Sequence, residues 1–255
     1  MPDPGKFVWY ELMSTDAAAA ERFYRDVVGW GIRRTDNPRM PYTTFLAGET
    51  GVAGLMTLTR QMQADGGAPG WVCYISTNDV DAAAKAVRAA GGAIYLEPSD
   101  IPDIGRFAMA ADPQGALFVL FQASGPGMES PASTAAPGHG GWHELRTSDL
   151  DGAWDFYAKL FGWTKTTAMD MGPAGPYQLF AAGAGDIGGM MRFEGRPFWK
   201  IYFNVADIGA AAKAIAAGGG KILNGPMEVP GGAWMVEGAD PQGVTFALSG
   251  PRGSA

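Results

Sequence analysis

One cysteine and two histidines in 255 residues leave this chain short of the side chains that most metal and nucleophile chemistry uses. A single Cys73 rules out an internal disulfide and a cysteine-based zinc cluster. Set between Val72 and Tyr74 in a strand-like run, it reads as a buried core thiol. Charge is scarce too: Asp, Glu, Lys and Arg make up 18% of the chain, the balance is −7, and no basic stripe is visible. Nucleic acid and anionic membrane surfaces are therefore not expected as partners, because neutralising phosphates takes clustered Lys and Arg. No apolar run approaches the roughly 20 residues that span a bilayer. The opening Met1-Pro2-Asp3-Pro4-Gly5-Lys6 lacks the basic start and apolar stretch of a signal peptide, so a cytoplasmic protein is expected.

What is present is apolar (47%) and rich in turns, with 38 glycines and 18 prolines, the composition of a globular chain and not of a disordered one. It also repeats. Trp9-Tyr10-Glu11-Leu12, Asp16, Phe23-Tyr24 and Val28-Gly29-Trp30 recur as Trp142-His143-Glu144-Leu145, Asp149, Phe156-Tyr157 and Phe161-Gly162-Trp163, each offset by 133 positions (Trp9 to Trp142). After the first strand, Asp16 offers a helix cap and Gly29 a C-terminal signal; in the second copy Ser148 with Asp151 resembles a capping box. Three strand-like runs follow each helix, and the whole unit recurs within each half, closing on Asp112-Pro113-Gln114-Gly115 and Asp240-Pro241-Gln242-Gly243. The expected class is α+β, four tandem βαβββ units. The expected domains are 1–122 and 141–255, joined by a Gly/Pro/Ser-rich linker over 123–140. The glycine clusters near 183–189 and 218–220 read as turns, since no Walker lysine or dinucleotide fingerprint accompanies them.

The βαβββ repeat, the Asp, Phe-Tyr and Gly-Trp spacing and the Asp-Pro-Gln-Gly turn resemble the vicinal oxygen chelate superfamily of glyoxalases, extradiol dioxygenases and bleomycin-resistance proteins. The resemblance implies glyoxalase-like domains in which paired units curve their sheets around a cup with helices outside. It also implies a divalent metal held in the cup by residues of the first and last strand of each unit. Those positions fall here on Trp9, Gly54, Trp71 and Val119 in one half and on Trp142, Gly189, Trp199 and Ala247 in the other. None is a metal ligand, because indole, glycine and aliphatic side chains supply no donor. No metal and no cofactor are expected. Pairing of a unit from one half with a unit from the other stays open, as does the choice between a monomer, itself a pseudo-dimer, and a homodimer.

Two functional readings follow. In the first, the eight positions line cups that bind an apolar or aromatic small molecule without metal, the indoles offering flat apolar area. The bland alternative is that the indoles fill the cups as core. In the second, Glu11 and Glu144, two residues beyond the first indole and so on the same strand face, act as general acid or base in a lyase, isomerase or hydroxylase-like enzyme. A structural anchor is the alternative role for both. Arg146 stands beside Glu144 where the first copy has Met13, so the halves are not equivalent. Strand alternation turns His143 to the helix side as a hydrogen-bonded core residue.

Overall fold

The computed structural model describes residues 3–35, 41–125 and 136–253. The first module is β1 (Phe7–Ser14), α1 (Ala17–Val28), β2 (Gly31–Arg34), β3 (Tyr42–Ala47) and β4 (Thr50–Thr57), followed by a short α2 (Arg60–Ala64) that the sequence pattern did not reveal. The second is β5 (Gly70–Ser76), α3 (Val80–Ala89), β6 (Ala93–Ile101), β7 (Gly105–Ala111) and β8 (Leu117–Ala123). The third is β9 (Gly140–Thr147), α4 (Leu150–Phe161), β10 (Thr164–Asp170), β11 (Pro176–Ala181) and β12 (Asp186–Arg192). The fourth is β13 (Phe198–Asn204), α5 (Ile208–Ala217), β14 (Lys221–Glu228), β15 (Trp234–Ala239) and β16 (Thr245–Gly250). Four βαβββ modules are thus present as expected.

The helices start on aspartates because a carboxylate satisfies an amide that the first turn leaves without a partner. Asp16 accepts from Ala19 N at 2.9 Å and Asp149 from Gly152 N at 3.1 Å. Ser148, expected as the second cap, lies one residue too early, since α4 opens at Leu150. Gly29 and Gly162 end α1 and α4 in the left-handed region, φ 85° and 69°, where a side chain would be strained. β6 and β14 run through Pro98 and Pro226. Both are edge strands, where proline removes no ladder bond.

The strands order as β2-β3-β4-β1-β5-β8-β7-β6 and β10-β11-β12-β9-β13-β16-β15-β14, two sheets of eight strands. Packing divides the chain differently. One compact unit comprises Met1–Trp9, Val72–Ala132 and Trp142–Lys200, and the other Tyr10–Trp71, Ser133–Gly141 and Ile201–Ala255. The expected boundaries, 1–122 and 141–255, therefore mark the sequence repeat, while each compact unit draws one module from each half. Of the expected linker 123–140, residues 126–135 lie outside the described residues. Ala123 belongs to β8 and Gly140 to β9.

Each unit explains part of the repeated motif. In the second unit Trp30 Nε1 donates to the Gly138 carbonyl at 2.8 Å, and in the first Trp163 Nε1 donates to the Gly5 carbonyl at 2.7 Å. Both glycines have positive φ, 84° and 82°, so the Gly-Trp pair caps a helix and then clasps a strand entry from the other half. The Phe-Tyr and Asp-Pro-Gln-Gly motifs meet in a second buried device. Asp112 Oδ1 accepts from Gln114 N at 3.0 Å and Ala116 N at 2.8 Å, while its Oδ2 accepts from Tyr157 Oη at 3.1 Å. Asp240 does the same for Gln242 N, Val244 N and, at 3.4 Å, Tyr24 Oη. Burial raises the pKa of both tyrosines and both aspartates. These motifs are structural in both copies.

Candidate functional site

The face of β1 that carries Trp9, Glu11 and Met13 is the first candidate. Glu11 pairs with Gly54 of the parallel strand β4, and Met13 with Met56, so period-2 geometry sets these side chains side by side. Tyr42, at the start of β3 and paired with Met56, reaches across Gly54 and donates from Oη to Glu11 Oε2 at 2.9 Å. A Cβ on Gly54 would collide with the Tyr42 hydroxyl and with Glu11 Oε1, so glycine is what lets the phenol lie there. Glu11 is buried, while Trp9, Met13, Tyr42, Thr44 and Met56 are half-buried around it.

β9 builds the same arrangement. Glu144 pairs with Gly189 of β12, and Tyr177 of β11 covers that glycine so closely that a Cβ would strike its ring. Tyr177 Oη accepts from Trp142 Nε1 at 2.7 Å and hydrogen-bonds Glu144. Burial, with Glu144 close by, raises the Tyr177 pKa and keeps it a neutral hydrogen-bonding phenol. Two cations then converge on the carboxylate: Arg146 Nε is 2.7 Å and Lys200 Nζ 3.9 Å from Glu144 Oε1. Arg146 lies over Phe193 and Lys200 over Phe198, at 5.7 and 5.8 Å from the ring centroids.

Tyr42, Tyr177 and Lys200 were not read from the sequence as site residues. A signal existed for the tyrosines: Pro41-Tyr42-Thr43-Thr44-Phe45 recurs as Pro176-Tyr177-Gln178-Leu179-Phe180.

Of the remaining predicted positions, Val119 and Ala247 lie on one sheet side and Trp71 and Trp199 on the other. In β5, Val119 of β8 registers with Tyr74, which puts it on the side of Val72 and Tyr74 and opposite to Trp71. In β13, Ala247 of β16 registers with Tyr202, on the side of Lys200 and opposite to Trp199. Trp71 Nε1 instead donates to Tyr24 of α1 and Trp199 Nε1 to Tyr157 of α4, both at 3.0 Å. Trp71 packs edge-on against Tyr24 and Trp30, and Trp199 against Tyr157 and Trp163. The expectation that all four indoles share a face is therefore corrected for Trp71 and Trp199, which belong to aromatic cores under the helices.

His143 is buried, stacked on Phe7 with centroids 3.6 Å apart, and its Nδ1 lies 2.7 Å from the Ile187 carbonyl oxygen. Burial pushes its pKa down to about 3, so the ring is a neutral core group. Cys73 is buried and its pKa is raised by burial, which keeps the thiol protonated. A depression of about 320 Å³ on the β10–β11 edge is lined by Ala168, Met169, Asp170, Gly175 and Pro176 and contains none of the predicted site residues.

Among the described residues no three His, Cys, Asp or Glu side chains gather as a metal-ligand group. The metal that the resemblance implies does not fit the described residues: Glu11 and Glu144 are each engaged by a phenol, and the ligand position opposite each is a glycine beneath that phenol. No helix among the described residues is long and apolar enough to cross a membrane.

The comparisons with known proteins agree with this architecture. Residues 6–120 and 138–248 match the model of the Glyoxalase/Bleomycin resistance protein/Dioxygenase superfamily. A Mycobacterium bovis protein named "Putative glyoxylase CFP32" is 32% identical over 259 residues, covering 95% of this chain and 94% of its own. The anthracycline biosynthesis protein DauV of Streptomyces sp. (strain C5) is 32% identical over 260 residues, 96% of this chain and 93% of its own. In fold, the Mn(II)-bound glyoxalase of Novosphingobium aromaticivorans superposes with a TM-score of 0.67 at 17% identity, over 98% of this chain and 83% of that one. The repeated family match, carried by four βαβββ modules in two sheets, identifies this chain as a member of the Glyoxalase/Bleomycin resistance protein/Dioxygenase superfamily.

Proposed function

We propose that the protein binds a flat, apolar or aromatic small molecule without a metal, on the faces that carry Trp9 and Trp142. One observation carries this reading. At the two glycines that stand where the family's ligands are expected, a tyrosine hydroxyl engages the neighbouring glutamate, which leaves an indole, a phenol and a carboxylate as the available chemistry. Indole and phenol rings stack on flat ligands, and a few placed polar groups orient them. The likeness to an anthracycline biosynthesis protein supports polycyclic aromatic compounds as the class to try first. The test is a tryptophan-fluorescence titration of the purified full chain with anthraquinones and smaller aromatic metabolites. Saturable quenching that Trp9→Ala or Trp142→Ala weakens at least tenfold is expected, and no saturable change with any compound would sink the reading.

A second reading is an enzyme using Glu11 or Glu144 as a proton-transfer group, favoured by the tyrosine–glutamate hydrogen bond present on both faces. Glu11→Gln and Glu144→Gln would then abolish turnover of a bound compound while leaving its affinity within a few fold.

A further inference from the structure

The sheet faces that carry Val119 and Ala247 differ in polarity at equivalent positions, which lie 128 residues apart (Val119 to Ala247). In the second module one row runs in register across four strands: Tyr74 of β5, Val119 of β8, Met109 of β7 and Leu96 of β6. In the fourth module the same row reads Tyr202, Ala247, Glu237 and Asn224. We infer that the row Val119, Met109 and Leu96 holds the body of the ligand, that this body is an uncharged fused-ring aromatic of at least three rings, and that Met109 and Leu96 determine the preference. This rests on the proposed binding function and names the surface that selects its ligand.

Directly opposed residues of neighbouring strands project from one side of the sheet, so the four side chains of the second module form a continuous strip. Strands about 4.8 Å apart make it about 14 Å long, the length scale of three or four fused rings. No member of the strip is charged, and exposure grows toward the sheet edge: Val119 is buried, Met109 half-buried and Leu96 43% exposed. A hydrocarbon ring laid on this edge removes apolar surface from water, and the thioether of Met109 adjusts to the ring. The strip also continues into the face proposed above. Val8, the neighbour of Trp9, packs in one cluster with Phe121, Tyr74 and Phe107 of the same sheet side, and Trp9 belongs to the same compact unit as the whole strip. In the fourth module Glu237 and Asn224 replace Met109 and Leu96, and a fused ring laid there would cover polar groups at a cost.

Calorimetric titration of the full chain with two uncharged alcohols, 9-anthracenemethanol and 1-naphthalenemethanol, tests the inference. The three-ring alcohol is expected to bind at least tenfold more tightly than the two-ring one. Leu96→Asp, a change at an exposed edge position, brings that ratio to near one, and the milder Leu96→Ser lowers it partway. Met109→Glu, which introduces the residue of the other copy, lowers it as Leu96→Asp does. Asn224→Asp, at the equivalent edge of the fourth module, leaves the ratio within twofold of the unaltered protein. A ratio that survives Leu96→Asp overturns the inference and leaves the proposed function standing, as does an equal loss of ratio in Asn224→Asp. Equal affinity of the unaltered protein for the two alcohols also overturns it. Failure of both alcohols to bind overturns the inference and the proposed function together.

Discussion

The faces of the first and third modules show how a duplicated scaffold can keep its frame and change its chemistry. Both hold a glutamate beneath a tyrosine that lies over a glycine. In the third module the carboxylate belongs to a charged cluster with Arg146 and Lys200, closed further by Trp142 Nε1 on Tyr177. In the first, Met13 stands at the arginine position and the tyrosine is less buried. The difference separates a face with two cations beside its carboxylate from a face with Met13 and Met56 beside Glu11.

The largest effect that would break this comparison is removal of a cation from the closed cluster. Lys200→Met removes the more deeply buried of the two cations beside Glu144 and should lower unfolding stability by about 3 kcal/mol in urea titrations. A loss of less than about 1 kcal/mol would contradict the cluster's contribution. The glycines give the next test. Gly189→Ala forces Tyr177 away from Trp142 and Glu144, and Gly54→Ala forces Tyr42 away from Glu11; each should cost about 2 to 3 kcal/mol, and a large inequality would show that the two glycines are not equivalent.

The buried tyrosines under the helices should behave alike in both units. Tyr24→Phe and Tyr157→Phe each leave a tryptophan N–H and an aspartate without the hydroxyl, and each should cost about 2 kcal/mol, measurable by thermal or urea unfolding. A large inequality would show that the two relays are not equivalent.

The smallest effect is in pH. His143 occupies the place of Tyr10 in the first copy. Its native pKa of about 3 lies below the unfolded value, so the unfolded chain takes up the proton first as pH falls. The stabilisation is complete above about pH 6.5 and is lost progressively toward pH 3, amounting to about 1.2 kcal/mol between pH 6 and pH 5. His143→Phe, which keeps the stacking on Phe7, should remove that slope from the stability profile. Asp112 and Asp240, whose native pKa values are raised, act in the opposite sense and are common to both proteins.

Much of the fold was legible because the repeat supplied a second reading of every element except α2. The Asp16 cap and the Gly-Trp ends stand where the repeat puts them, while the second cap is Asp149, the counterpart of Asp16, and not Ser148. The faces of β5 and β13 were not legible. Trp71-Val72-Cys73-Tyr74-Ile75 and Trp199-Lys200-Ile201-Tyr202-Phe203 have no clean apolar/polar alternation, so a one-residue shift of register was invisible and reversed the assignment of both indoles. Glu11 and Glu144 were legible from spacing along one strand. Their partners Tyr42 and Tyr177 lie more than 30 residues away on another strand, and it is parallel pairing through glycine that brings them together. The crosswise packing was left open by the sequence, because two arrangements satisfy the same local pattern.

The central claim, ligand binding that needs no metal, is tested most directly by titrating an anthraquinone into the full chain before and after exhaustive chelation, with bound metal quantified in the same samples. The account predicts one dissociation constant for both samples, within twofold, and substoichiometric metal throughout. Loss of binding after chelation, restored by adding back a divalent cation, would contradict it.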